Sequence, residues 1–143
     1  MGRILALDLG RRRIGMAIAV EGSAAHGIGA MARRSLREDL ERLKRVAEER
    51  GVERVVVGLP LNMDGSEGAM AGEVRQFGER LRTALGVEVV YQDERLTSFA
   101  AEELLKQRGM SLKRMLEAKR RGVVDEMAAV AVLDDYLGRT ERG

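Results

Sequence analysis

Cysteine and tryptophan are absent from the chain, which has one histidine and one proline among 143 residues. Without cysteine there is no disulfide, no thiolate zinc site and no cysteine nucleophile, which fits a reducing compartment. The single histidine, His26, stands among small residues as a structural or exposed side chain, and it leaves no Ser-His-acid relay to assemble. Aromatic residues make up 3% of the sequence, too few for a platform that stacks single-stranded bases. No uncharged stretch approaches the roughly 20 residues that cross a bilayer, and no signal peptide precedes the first apolar run. A cytoplasmic location is expected. Internal repeats and low-complexity tracts are also missing.

Hydrophobic residues make up 45% of the chain and charged residues 34%. This balance suits one compact domain over residues 1–143, and a chain of this length buries about 68–70% of its unfolded surface. The run Ile4-Leu5-Ala6-Leu7-Asp8-Leu9-Gly10 reads as a strand buried on both faces. Asp8 interrupts it near its end. A carboxylate buried without a partner costs several kcal/mol, so something positive should lie beside it. A second strand, Arg11–Val20, follows after a basic turn, and either its arginines or a metal ion can neutralise Asp8.

Residues 25–32 form a weak third strand, so three antiparallel strands open the fold. Ser35-Leu36-Arg37-Glu38 matches a capping box, and Leu36, Leu40, Leu43, Val46 and Ala47 then recur on one helical face before Gly51. A buried strand ends at Pro60, and Asn62–Ser66 makes a turn. A second helix carries Val74, Phe77, Leu81 and Leu85, and a fifth strand runs through Val87–Tyr91. A third helix spans Thr97 or Ser98 to about Arg108, with Thr97 and Ser98 as caps, and a last one spans about Val123–Leu137. Strand-helix-strand spacing implies parallel crossovers, hence an α/β domain with a five-stranded mixed sheet, three antiparallel strands then two parallel, flanked by helices.

Three acidic positions are hard to explain by packing. Asp8 ends the first strand, Asp93 and Glu94 end the fifth, and Asp125 shares a helical face with Ala128, Ala129, Val132 and Tyr136. Strand ends converge where open α/β sheets build their sites. Three oxygen donors without cysteine suit Mg²⁺ or Mn²⁺, and a pair of such ions activates water against a phosphodiester. Helix-dipole stabilisation for Asp125 and an ion pair with Arg95 for Glu94 are the competing explanations.

Seven bases and one acid crowd residues 106–121, a net +6 against −4 for the rest of the chain. Such a block is either a phosphate patch or a solvated loop.

These motifs together resemble a known family. Asp8-Leu9-Gly10 with Arg13-Ile14-Gly15-Met16-Ala17, Val57-Gly58-Leu59-Pro60-Leu61-Asn62-Met63-Asp64-Gly65, Asp93-Glu94-Arg95-Leu96-Thr97-Ser98, and Asp125 with Ala128-Ala129 resemble the YqgF family. Its members, also described as RuvX-like or Holliday junction resolvase-like, have an RNase H-like fold. The resemblance spans essentially the whole chain. It implies a metal-dependent bacterial nuclease that matures the 5′ end of pre-16S rRNA, with branched DNA as a substrate reported for some members.

By position, Asp8 matches the first-strand metal-ligating acid of RNase H-like nucleases, and Asp125 matches their final-helix acid. The middle ligand departs from that pattern, because the fourth strand offers no carboxylate before Asp64. The family pattern places it at Asp93-Glu94, where Glu94 has the longer reach and Asp93 competes. Arg11, Arg12 and Arg13 beside Asp8, with Lys119, Arg120 and Arg121, are the substrate-phosphate candidates; a salt bridge to an acid is the alternative for the first three. Asn62 and Asp64 shape a turn. A junction resolvase would need two active sites and hence a homodimer. A non-catalytic nucleic-acid-binding module is the third reading.

Overall fold

The computed structural model describes residues 2–20, 22–94, 109, 114, 117 and 122–142. Among them run β1 (Arg3–Leu9), β2 (Arg13–Val20), β3 (His26–Ala32), α1 (Leu36–Arg50), β4 (Val52–Leu59), α2 (Ala69–Leu85), β5 (Glu88–Asp93) and α3 (Val123–Arg142). The strands form one sheet in the order β3-β2-β1-β4-β5. β1 pairs antiparallel with β2, and β2 with β3; the β1–β4 and β4–β5 pairs are parallel. This is the mixed sheet that the strand and crossover pattern implies. The helix expected from Thr97 or Ser98 to Arg108, and the basic positions Lys119, Arg120 and Arg121, lie outside the described residues.

Side chains alternate along each strand, so the sheet has two distinct faces. Leu5, Leu7, Leu9, Ile14, Met16, Ile18, Val55, Val57 and Leu59 pack with Leu43 and Ala47 of α1 and with Ala71, Val74, Phe77 and Leu81 of α2. The other face is made of smaller residues. Ile4, Ala6, Ala17, Ala19 and Val56 meet Ala129, Val132, Leu133 and Leu137 of α3. Asp8 follows Ile4 and Ala6 at intervals of two, so the alternation puts it on the α3 face. Its cross-strand partner there is Gly15. A Cβ on Gly15 would collide with the backbone carbonyl of Asp125, so the missing side chain lets α3 sit directly on β2.

Several boundaries differ from the sequence expectation. β2 starts at Arg13 because Gly10 N–H donates to the Arg13 carbonyl at 2.9 Å, making Arg11 and Arg12 the corner of a tight turn. α3 continues past Leu137 to Arg142, with no proline to end it. Ser35 does cap α1, accepting from Glu38 N–H at 3.1 Å, and Gly51 closes it in the left-handed region. The Glu38 carboxylate, however, lies 3.8 Å from Arg34 Nη1. Leu36 is 39% exposed, because the first residue of the helix precedes the face that Leu40 and Leu43 turn to the sheet.

The buried acid of α1 is Asp39, 1% exposed. It accepts from Arg34 N–H at 3.0 Å and from Arg42 Nη2 at 2.7 Å, and Arg33 Nε lies 3.7 Å away. After β4, Asn62 and Asp64 build the expected turn. Asn62 N–H donates to the Ser66 carbonyl at 2.8 Å, and Ser66 N–H donates to Asp64 Oδ1 at 2.9 Å.

Two glycine substitutions test this packing in opposite directions. Gly15→Ala forces backbone apart at the α3–β2 contact and should cost about 3 kcal/mol. Gly72 lies in α2, where an added Cβ would meet nothing within 4 Å. Gly72→Ala should therefore stabilise by about 0.5–1 kcal/mol. Urea midpoints of the two variants against the parent measure both.

Candidate active site

The acidic positions meet at one end of the sheet, on the α3 face. β1 brings Asp8 there. β5 pairs in parallel with β4 as far as Asp93 opposite Leu59, and Glu94 N–H then donates to the Leu59 carbonyl at 3.1 Å. This bond turns the chain so that the Glu94 side chain lies over β4 at Gly58. A Cβ on Gly58 would collide with the Glu94 carboxylate and lie 3.1 Å from Val132 Cγ2. Gly58 therefore leaves room for Glu94 to reach Asp8. Its signal in the sequence is a glycine inside the apolar run Val55–Leu59.

Asp8 and Glu94 hydrogen-bond to each other. Burial pushes the Glu94 carboxyl up to about 9; the negative charge of Asp8, the hydrogen bond to Asp8 and the charge of Asp93 add to the effect. Burial also raises Asp8, while the hydrogen bond from Glu94 opposes that rise. At neutral pH, Glu94 is thus the protonated donor and Asp8 the acceptor. The charge of Asp93 acts on Glu94.

Asp125 stands in the first turn of α3, where Glu126 N–H donates to the Gly122 carbonyl at 3.0 Å. Burial raises its carboxyl, as does the charge of Asp8; Arg13 and the Asp125 backbone N–H pull it down. A Cβ built on Gly10 would lie 3.5 Å from Asp125 Oδ1, so the β1–β2 turn passes close to this carboxylate. Of the three turn arginines, Arg13 is half-buried and electrostatically tied to Asp125, whereas Arg11 and Arg12 are exposed. Polar ties with no signal in the sequence fix α3 to the sheet, one of them from Arg54 Nη1 to the Tyr136 hydroxyl at 2.8 Å. Gln92, 4% exposed, donates from Nε2 to Asp135 Oδ2 at 2.5 Å, and Gly29 N–H donates to the Glu126 carboxylate.

Among the described residues, no three acidic or imidazole side chains are contracted around a single point for a metal ion. The donor chemistry nevertheless fits a hard divalent cation. Burial and their mutual charge lead two carboxylates to hold a proton between them, and the nearby Asp125 responds to the charge of the first. All the donors are oxygens, as Mg²⁺ and Mn²⁺ favour.

The raised Glu94 carboxyl has a thermodynamic consequence. Its protonated form supports the fold fully below its ordinary value of 4.5, and that contribution is lost as pH rises towards about 9. Glu94→Gln keeps a donor to Asp8 and cannot ionise. In metal-free buffer the variant should gain about 1–3 kcal/mol over the parent near pH 8 and little near pH 4. Thermal unfolding across that range is the measurement, and parallel curves for the two proteins would contradict the assignment.

Comparison with known proteins agrees with this architecture. A family profile described as RuvX, Holliday junction resolvase, matches residues 2–139. A protein of Thermosynechococcus vestitus named "Putative pre-16S rRNA nuclease" is 44% identical over 94% of this chain and 86% of its own length. A protein of the same name from Anaeromyxobacter sp. (strain K) is 47% identical over 96% and 97%. In shape, Thermus thermophilus RuvC in complex with Holliday junction substrate aligns with a TM-score of 0.56 at 16% identity, covering 91% of this chain and 89% of that one. That likeness establishes the RuvC-type, RNase H-like fold. The aligned span and the identity to these relatives place the chain in the RuvX, or Holliday junction resolvase, family.

Proposed function

We propose that residues 1–143 act as one metal-dependent nuclease domain that hydrolyses phosphodiester bonds in structured RNA, processing the 5′ end of pre-16S rRNA in the cytoplasm. The observation that carries this reading is the proton-sharing pair of Asp8 and Glu94 with Asp125 beside it, all at one end of the sheet. The name shared by the relatives supports the substrate.

Asp8, Glu94 and Asp125 would hold Mg²⁺ or Mn²⁺; two such ions, when bound, lower the pKa of an attacking water and stabilise the leaving oxygen. Glu94 must first give up its proton, so cation binding releases protons and strengthens as pH rises. Asp93, one residue earlier, keeps the site negative. Arg13 balances Asp125, and the exposed Arg11 and Arg12 draw substrate phosphate to the turn. Lys119, Arg120 and Arg121, clustered in the sequence, are further candidates for phosphate contact. No helix among the described residues is long and apolar enough to cross a membrane.

The family description favours one second reading, Holliday junction resolution, which would need the two active sites of a homodimer. Purified protein with Mn²⁺, given precursor 16S rRNA and a four-way junction in parallel, separates the two. We expect cleavage of the RNA and a loss of about a thousandfold for Asp8→Asn. Paired cuts in the junction alone would favour the resolvase. Failure to cut either substrate would reject the nuclease reading and leave a binding module, and full activity of Asp8→Asn would reject Asp8 as a residue of the site.

A further inference from the structure

The connection from β3 to α1 carries arginines at the same end of the sheet as Asp8. The register pairs Arg13 with Ala32, so the end of β3 lies beside the start of β2. Arg33 then ties the two connections together. Its backbone N–H donates to the Arg12 carbonyl at 2.8 Å, and its Nη1 donates to the Gly10 carbonyl at 3.0 Å. The guanidinium is itself held from behind, by buried Asp39 at 3.7 Å and by the ring of Phe77, 5.6 Å from its centroid. Asp39 and Phe77 are buried in the α1–α2 layer, so Arg33, its side chain 31% exposed, serves as an anchor.

Its neighbours are available. Arg34 and Arg37 have side chains 64% and 88% exposed, and they follow Arg33, whose backbone is bonded to Arg12 of the turn that carries the exposed Arg11 and Arg12. Their partners are Glu38, 3.8 Å from Arg34, and Glu41, 3.3 Å from Arg37. Exposed pairs one helical turn apart are weak and screened by salt, so a polyanion competes with them readily. The two connections form one basic rim leading away from the acidic pair, with its spacing set by the Arg33 bonds to Gly10 and Arg12.

We propose that Arg34 and Arg37 continue the phosphate contacts of Arg11 and Arg12, so that this rim binds the sugar–phosphate backbone of the nucleic acid at a distance from the bond being cut. The inference rests on the nuclease reading and extends its substrate surface from the site to the start of α1. It requires a substrate longer than the scissile nucleotides, with a structured or extended arm lying over the β3–α1 connection.

The test is binding without cleavage. A fluorescently labelled stem–loop RNA with a single-stranded 5′ arm is titrated with full-length protein in EDTA at several salt concentrations. Arg34→Gln with Arg37→Gln should weaken binding at least about tenfold at low salt and flatten the log-affinity against log-salt slope by about 1.5 units. Arg50→Gln with Arg80→Gln removes the same charge from the far ends of α1 and α2 and should leave the slope unchanged. Equal slopes for parent and Arg34/Arg37 variant would overturn the proposal, as would an equal loss in the Arg50/Arg80 control or no binding by the parent. Binding by the parent without cleavage on restoring Mn²⁺ would reject the nuclease reading and leave this surface standing.

Discussion

A proton held between Asp8 and Glu94 is the constraint around which one face of the sheet is built. Burial, then the negative charge of Asp8, keeps Glu94 protonated far above the range of a free glutamic acid. For the two to meet, the space between them has to be clear. Gly58 clears it on β4, and Gly15, opposite Asp8 on β2, allows the first turn of α3 to descend with Asp125. Ala6, Ala17 and Ala19 keep the rest of that face shallow enough for α3 to follow. The opposite face, filled by leucine, isoleucine and valine under α1 and α2, has no such demand and supplies ordinary hydrophobic stability.

The division of labour between faces explains why the molecule can carry a costly site. A pair of buried acids weakens the fold when the pH is high enough to drive off the shared proton. The larger cluster on the other face does not depend on those ionisations. The polar ties of α3, through Gln92 to Asp135 and from Gly29 to Glu126, hold the helix against the sheet without adding apolar bulk near the acids. A cation supplied to the pair would exchange a destabilising charge for a coordinated one, the chemistry that oxygen-only donor sets serve.

The arginines divide by depth. Arg33 and Arg42 neutralise the buried Asp39 and spend their donors on backbone carbonyls: Gly10 for Arg33 and Ala32 for Arg42. Arg13 faces Asp125. Arg11, Arg12, Arg34 and Arg37 stay on the surface, where charge attracts without a desolvation cost. Residues alike in the sequence therefore do different physical work according to how much water they keep.

Much of the architecture is legible in the residues alone. Apolar runs ending at Gly10 and Pro60, the Ser35 cap and the Gly51 stop mark element boundaries, because these signals act over a few residues, and the crossover spacing implies the parallel pairs. Asp8, Glu94 and Asp125 are each conspicuous as acids in apolar or helix-entry settings. Leu36 reads as core and is exposed, while nothing in the pattern marks Asp39 as buried, since depth within a helix depends on which face the sheet covers. That Glu94 is the acid that meets Asp8 was decided by the tertiary structure. The β4–β5 register, the Leu59–Glu94 backbone bond and the absent side chain of Gly58 set that geometry, and all three involve contacts between segments far apart in sequence.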